Sequence, residues 1–265
     1  QTIAHLRARV DQGTLLQASG IEVHRGSRTV LKRVDFHLSE AEVVALVGPN
    51  GSGKTTLLEA CAGILPLTSG SVNWRIGGGP SRLVRDSEGR RSELPPMGLT
   101  LQGDGMCGEE TVEERLAISL HVAGRSPDEA RMAEMLSVWG LEHRRADRIS
   151  QLSGGMRRRL AVLCGLAPAA LCGDPRVALL DEPSEGLDES ARGLLTGWLR
   201  ALAANGHGVV VATHDTEVIR CADRVVIVEG SNLIESSGES VGAIAQLPQT
   251  CDPTEPSTLG SLLKW

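Results

Sequence analysis

GPNGSGKT, residues 48–55, is the most informative segment of this sequence. It matches the pattern G-x-x-x-x-G-K-[ST] and directly follows the continuous apolar run Val43–Val47. Such a run is typical of a strand buried on both faces, and a helix is predicted from Lys54 to about Ala62. Glycines let backbone N–H groups approach phosphates closely, and the helix N-terminus adds partial positive charge. The stretch therefore predicts a loop that binds the phosphates of a nucleoside triphosphate.

The residues of this loop have distinct expected roles. Lys54 should reach the β- and γ-phosphates, and the Thr55 hydroxyl should ligate Mg²⁺. The other predicted nucleotide contacts in this segment are Gly48, Pro49, Asn50, Gly51, Ser52, Gly53 and Thr56.

A second element places two carboxylates at the edge of the predicted sheet. The apolar segment 177–180 is followed directly by Asp181 and Glu182. Ligands of open α/β sheets bind at the carboxyl ends of the strands. There Asp181 suits Mg²⁺, and Glu182 suits a base that polarises an attacking water. Taken alone, the pair is equally well explained as a solvated acidic loop, but the phosphate loop upstream favours the functional interpretation.

A third element is the pentapeptide 152–156, which reads Leu-Ser-Gly-Gly-Met and precedes an apolar helix. Ser153, Gly154 and Gly155 at a helix start form another anion-binding N-terminus, with the hydroxyl as an extra donor. In isolation, an ordinary N-cap would explain the pentapeptide better. However, one triphosphate does not need two such sites on one chain. Two chains arranged head to tail do, because each can complete the site of the other.

Strands and helices alternate along the chain, which predicts an α/β fold. Strand-like runs lie at 43–47, 98–101, 177–180, 209–212 and 225–228, and helical patterns lie at 111–139, 156–166 and 187–204. This order is typical of a mostly parallel sheet covered on both faces. Shorter runs at 15–18, 21–23, 30–31 and 34–38 predict antiparallel strands of a smaller β subdomain. The polar segment 75–96 is predicted to be a surface loop or a frayed hairpin.

Composition limits the class of protein. The net charge of the 265 residues is −6, which argues against a nucleic-acid partner because phosphate backbones require clustered Lys and Arg. The six Cys form no CxxC pair, so we expect free thiols in a reducing compartment rather than a zinc site. No stretch reaches the roughly 18–20 apolar residues of a membrane span, and no signal peptide is recognised.

With these motifs in this order, the sequence resembles the nucleotide-binding subunits of the ATP-binding cassette (ABC) family, from about Leu15 to Glu235. The resemblance implies a P-loop NTPase (RecA-like) core with an antiparallel β subdomain and an α-helical subdomain at about 111–160. It also implies a sandwich dimer, formed with a second copy or a homologous ABC subunit, with two ATP molecules at the interface. The expected organisation is an N-terminal extension (1–14), an ABC ATP-binding domain (15–236) and a C-terminal tail (237–265).

The resemblance also implies further site residues. Gln102 matches the loop glutamine that touches Mg²⁺ and senses the transport partner, and Glu182 matches the catalytic carboxylate. Residues 153–155 match the signature that contacts the γ-phosphate of the nucleotide held by the other chain. Asp188 matches the loop that links the two sites, and His214 matches the switch histidine at the γ-phosphate.

The sequence departs from the family at two positions. Where an aromatic residue usually stacks on adenine, this chain has His24 and Arg25, and it contains no Tyr. Arg25 could stack through its guanidinium plane, which leaves the preference for ATP over GTP open. Met156 replaces the commonest signature Gln, a frequent variant.

Several functions remain open at this stage. The leading hypothesis is an ATP-hydrolysing subunit on the cytoplasmic or organelle-interior face of a membrane. It would dock on integral membrane transporter subunits through the surface near Gln102 and segment 103–114. The alternative is a soluble, non-transport ABC ATPase, for example of the iron–sulfur assembly type. Among transporters, the compact cassette and Arg25 resemble haem-exporter subunits and related exporters. A small-molecule kinase with a phosphate loop would not need the pentapeptide 152–156.

Overall fold

The structure is a computed structural model that describes residues 13–76, 79–92, 97–101, 105–126 and 128–235. Among these residues, ten strands form two sheets. The strands are β1 (Thr14–Arg25), β2 (Arg28–Ser39), β3 (Val43–Val47), β4 (Ser69–Trp74), β5 (Arg82–Asp86), β6 (Gly98–Thr100), β7 (Val177–Asp181), β8 (Gly208–Ala212), β9 (Arg224–Glu229) and β10 (Asn232–Glu235). The helices are α1 (Lys54–Cys61), α2 (Val112–Val122), α3 (Glu129–Val138), α4 (Gly154–Ala170), α5 (Glu189–Ala204) and α6 (Thr216–Arg220).

The larger sheet carries the predicted parallel core. Its strand order is β10-β9-β3-β8-β7-β6, and β9, β3, β8, β7 and β6 pair in parallel. β7 and β8 are buried along their whole length, as their apolar sequences predict for central strands covered on both faces. Parallel strands bring their carboxyl ends to one edge, so the residues after β3, β7 and β8 share that edge.

The smaller sheet is antiparallel, with the order β2-β1-β4-β5. The predicted pairs of short strands at 15–23 and 30–38 are two continuous strands, β1 and β2. In β1 the pairing register shifts between Ala18 and Ile21 at Gly20, whose φ of 55° permits a bulge without ending the strand.

The polar segment 75–96 was predicted as a surface loop or frayed hairpin, and its described part contains the paired strand β5. Val84, Arg85 and Asp86 of β5 are buried, so the surface-loop interpretation was wrong for them and the hairpin interpretation holds. The Arg85 guanidinium caps the end of α1 by donating to Gly63 O at 3.3 Å and Ile64 O at 3.5 Å. Burial of the guanidinium lowers the pKa of Arg85.

Helix ends follow local capping chemistry. The helical pattern predicted at 111–139 forms two helices, α2 and α3. α2 starts with a capping box between Thr111 and Glu114. α5 begins at Glu189 rather than at the predicted Leu187, because the Asp188 side chain accepts from Ala191 N–H at 2.9 Å and caps the helix. α4 extends to Ala170, beyond the predicted Leu166.

One hydrophobic cluster joins the helical layer to the sheet. It includes Trp139 after α3 and Trp198 on α5, whose ring centroids lie 5.9 Å apart in an edge-to-face arrangement. Such pairs add about 0.5–1.5 kcal/mol beyond their area burial. No helix among the described residues has the length and apolar character needed to span a bilayer.

Candidate functional site

The loop 48–53 connects β3 to α1 in a conformation that only glycine adopts easily. Gly48 has a φ of 148°, and a Cβ added there would lie 2.3 Å from Val228 O. Gly53 precedes the first residue of α1 with a φ of 117°. These two positions let the backbone turn tightly against β9 and expose N–H groups at the start of α1, as phosphate binding requires.

Lys54 lies inside this loop rather than in solvent. Its side chain is buried, and its ammonium donates to Gly48 O at 2.7 Å and Pro49 O at 3.3 Å. Ser52 Oγ is buried and has no hydrogen-bond partner among the described residues. A buried ammonium and an unsatisfied hydroxyl in one glycine-rich loop fit a phosphate ligand, because its oxygens would accept from both groups.

The predicted metal ligands meet across the carboxyl edge of the large sheet. Thr55 Oγ1 on the first turn of α1 donates to Asp181 Oδ2 at the end of β7, at 2.7 Å. Both are hard oxygen ligands, and Mg²⁺ is usually bound by one or two such protein oxygens together with phosphates and water. The donor set therefore fits Mg²⁺ with a bound triphosphate.

Glu182 and His214 lie next to each other at the ends of neighbouring strands. His214 Nδ1 is 3.0 Å from Glu182 Oε2, although the His214 side chain is 78% exposed and the Glu182 side chain only 10%. The angles do not make this contact a hydrogen bond, so the buried Glu182 Oε2 has no hydrogen-bond partner among the described residues. A carboxylate oxygen in that state is able to accept a proton or a hydrogen bond from a water molecule.

The Glu182 backbone adopts a left-handed conformation, with a φ of 47°. This conformation costs a non-glycine residue roughly 1–2 kcal/mol. Glu182 N–H donates to Ala212 O at 2.8 Å, so the residue continues the pairing of β7 with β8 before the chain turns away. Backbone strain of this kind often occurs at functional sites that the surrounding structure holds in place.

Ser153 caps the start of α4. Its Oγ accepts from Met156 N–H at 3.3 Å, and the residue is exposed. A Cβ added at Gly154 would meet nothing within 4 Å, and one at Gly155 would lie 3.7 Å from Gly186 O. The pentapeptide thus presents an open face beside the loop 184–188.

Asp188 in that loop forms an ion pair with α4 and also caps the start of its own helix, α5. The N–H of Ala191 and then the guanidinium of Arg159 lower the pKa of the Asp188 carboxyl. Arg159 and Asp188 form an ion pair, which joins the helix that follows the pentapeptide to the segment that follows Glu182.

Arg25 does not extend freely over the loop. Its guanidinium forms an ion pair with Glu59 of α1, and about half of its side chain is exposed. Sequence reasoning did not identify the neighbouring Arg28, whose Nη2 donates to Gly51 O in the phosphate loop at 3.2 Å. The start of β2 is therefore linked to the phosphate loop through Arg28. Gln102 lies outside the described residues.

A second residue that sequence reasoning did not identify is Arg158 on α4. It donates to the carbonyl oxygens of both Asp181 and Glu182. The basic run 157–159 offers no sequence signal for this contact, because arginines near a helix start are ordinarily solvated.

Comparison with known proteins places these features in a family. The sequence model of the family described as ABC transporter matches residues 31–185. An Fe(3+) ions import ATP-binding protein of Streptomyces coelicolor is 36% identical over 227 residues, which are 84% of this chain and 62% of that protein. A lipoprotein-releasing system ATP-binding protein of Rhodospirillum rubrum is 34% identical over 231 residues, which are 85% of this chain and 96% of that protein.

Solved structures show the same fold. The chain aligns with an ATP-binding cassette in a dimeric post-hydrolysis state bound to ADP and Pi, with a TM-score of 0.71, 24% identity and coverage of 84% of this chain and 98% of that one. It also aligns with the ATP binding subunit of an ABC transporter, with a TM-score of 0.71, 23% identity and coverage of 87% and 92%. The expected RecA-like core with an antiparallel sheet and helices is thereby confirmed as the ABC ATPase fold.

Proposed function

This chain belongs to the ABC transporter family, and from that premise we propose that it binds ATP with Mg²⁺, hydrolyses it, and drives transport through separate membrane subunits. The observation that carries the proposal is the meeting of Thr55, Asp181, Glu182 and His214 at the edge of the sheet next to the phosphate loop. The first curated relatives are longer, since the match spans 62% of the Streptomyces coelicolor protein.

The chemistry assigned to the chain's own residues follows from their positions. Lys54 and the N–H groups of loop 48–55 bind the β- and γ-phosphates, and Ser52 Oγ supplies a further donor. Mg²⁺, when bound, offsets charge on the phosphate oxygens, and Thr55 and Asp181 are the residues that would hold it.

Glu182 is the proposed base. Its buried Oε2 accepts the proton of a water as the water oxygen bonds to the γ-phosphorus. The bond from the γ-phosphorus to the bridging oxygen breaks, its electron pair leaves with ADP, and inorganic phosphate is released. His214 lies 3.0 Å from the same carboxylate and is exposed enough to contact a γ-phosphate.

We propose that a second nucleotide-binding subunit completes the site. Residues 153–155 are exposed at the start of α4, which suits contact with a nucleotide held by another chain. The solved cassette in its dimeric post-hydrolysis state shares this fold and supports the arrangement.

The proposed docking surface for membrane subunits is the segment from Gln102 to Glu114. Its described part is firmly attached to the residues that lead into the pentapeptide: Ile149 N–H donates to Glu110 O at 2.9 Å, and Arg148 pairs with Glu109. Force applied there by a partner would therefore reach Ser153. The relatives' names include both import and release systems, so they support a role in transport without fixing the substrate. The peripheral position on the cytoplasmic face is part of the proposal.

Substitution Glu182→Gln tests the hydrolytic assignment. We expect ATP turnover to fall by at least about 100-fold while ATP binding persists, because the amide keeps the shape but cannot accept the proton. The measurement is steady-state phosphate release together with the ATP dissociation constant. The matched control is Glu88→Gln, at an exposed glutamate that pairs with Arg90, and it should keep wild-type turnover. Undiminished turnover in Glu182→Gln would remove the base assignment.

Purification of a tagged chain from detergent-solubilised membranes tests the coupling to transport. We expect a protein with several membrane spans to co-purify, and to be lost when Glu109 and Glu110 are both replaced by Lys in the proposed docking segment. Recovery of the chain from the soluble fraction alone would contradict the transport assignment and leave the ATPase assignment intact.

A further inference from the structure

We infer that Arg158 is a positioning residue for hydrolysis, which holds the Glu182 carboxylate in place by binding the backbone on either side of it. This inference rests on the proposed role of Glu182 as the base. Arg158 lies on the second turn of α4, which starts with the glycines of the pentapeptide.

The contact joins two carbonyl oxygens at the point where the chain leaves the sheet. Arg158 Nη2 donates to Asp181 O at 3.1 Å and also to Glu182 O. Nη2 carries two N–H donors that the planar guanidinium holds in fixed directions, so this one nitrogen can bind two neighbouring acceptors at once. A lysine ammonium is a point charge on a flexible stem and would hold them less rigidly.

The backbone at Glu182 needs such support because its conformation is unfavourable on its own. With a φ of 47°, the residue relaxes to a more common conformation unless its neighbours prevent this. Its N–H is held by Ala212 O at 2.8 Å on one side. On the other side its carbonyl accepts from Arg158 and from Glu185 N–H, the latter at 3.1 Å.

No hydrogen bond from a described residue orients Oε2 of Glu182. Oε2 is buried and has no hydrogen-bond partner among the described residues, and its neighbour His214 is largely exposed. The direction of this oxygen therefore depends on the backbone from which the side chain projects. Release of the two carbonyls would let the backbone relax and move the oxygen away from the water that it activates.

Kinetics of Arg158→Met and Arg158→Lys test the inference. We expect Arg158→Met to lower kcat roughly 10- to 100-fold, because small misplacements of a catalytic group have effects of that size. KM for ATP should change by less than about threefold, since the phosphate loop is untouched. Arg158→Lys should recover part of kcat. Arg144→Met, which removes a surface arginine paired with Asp147, is the matched control and should behave as wild type.

A double substitution separates positioning from a merely structural role. If Arg158 acts through Glu182, then Arg158→Met added to Glu182→Gln should leave the residual single-turnover rate within about threefold of that of Glu182→Gln alone. A further tenfold loss would mean that Arg158 acts independently of the carboxylate, and would overturn the inference. If thermal unfolding shows that Arg158→Met is poorly folded, the same comparison of single and double variants is made with Arg158→Lys.

The outcomes also distinguish this inference from the proposed function. Wild-type kcat in Arg158→Met, beside an inactive Glu182→Gln, overturns the role of Arg158 alone. Undiminished turnover in Glu182→Gln overturns the base assignment on which the inference rests.

Discussion

At the scale of single residues, Gly48 shows how closely the phosphate loop is packed. Gly48 and Gly51 both have positive φ, 148° and 77°, so an L side chain strains the backbone at either position. Only at Gly48 would the added Cβ meet backbone, at 2.3 Å from Val228 O, whereas at Gly51 it would meet nothing within 4 Å. A comparison of alanine substitutions at Gly48 and Gly51 therefore separates the effect of conformational strain from that of steric overlap.

We expect Gly48→Ala to lower the free energy of unfolding by about 1–3 kcal/mol more than Gly51→Ala does, as overpacking usually costs that much. Nucleotide affinity should also fall more, because relief of the overlap moves the loop away from β9. Urea unfolding and ATP titration of the two variants measure both effects. Equal losses would mean that the loop moves freely away from Val228.

At the scale of elements, His207 joins the starts of two central strands. It precedes β8 and is 1% exposed, and its Nδ1 accepts from the N–H of Arg176, which precedes β7, at 3.1 Å. Burial, and secondly the nearby Arg176, lower the pKa of His207 from 6.5 to about 4. Protonation would also break the hydrogen bond, since a protonated Nδ1 cannot accept.

Because the folded pKa lies below the unfolded one, the unfolded chain binds the proton first as pH falls. The stability associated with neutral His207 is thus complete above about pH 6.5 and is lost between pH 6.5 and 4, with an upper bound of roughly 3 kcal/mol. We expect His207→Gln to flatten this part of the pH profile of urea unfolding. His121→Gln, at an exposed histidine on α2, is the control. Parallel wild-type and His207→Gln curves would contradict the assignment.

Elements also show why some of the fold could be predicted from the sequence. β3 and β7 are continuous apolar runs, so a local pattern is enough to identify them. β4 has only Val72 and Trp74 buried, and β5 carries the buried polar residues Arg85 and Asp86. Their strand character comes from pairing with β1 and with each other, which no local pattern encodes.

The same reasoning applies to the site. Local sequence motifs contain four of the site residues, Lys54, Thr55, Asp181 and Glu182, so their chemistry could be predicted from the sequence. The structure places Thr55 against Asp181, as the motifs predict. Arg158 and Arg28 contact backbone carbonyls of distant segments. Every residue has a backbone carbonyl, so the sequence does not show which carbonyl will accept a hydrogen bond. Such contacts can be identified only from the structure.

At the scale of the whole molecule, the open face of the pentapeptide fits the proposal that a second chain completes each site. Ser153 is exposed and its Oγ caps its own helix, while a Cβ added at Gly154 would meet nothing within 4 Å. An exposed helix start without a ligand from its own chain suits a nucleotide presented by a second chain. A large charged side chain at Ser153 would block that approach without touching the phosphate loop.

We expect Ser153→Arg to abolish the ATP-dependent dimer that Glu182→Gln should accumulate, while the ATP affinity of the monomer stays within about threefold. Light scattering coupled to size-exclusion chromatography, with and without ATP, measures the dimer. Ser153→Ala removes the helix cap, at a cost of about 1 kcal/mol in stability, and the hydroxyl proposed to contact the nucleotide of the other chain, but it adds no bulk. It therefore separates loss of the hydroxyl from blocked contact. Ser137→Arg, at an exposed position of α3, controls for the added charge. A dimer that forms normally with Ser153→Arg would place the second chain elsewhere on the molecule.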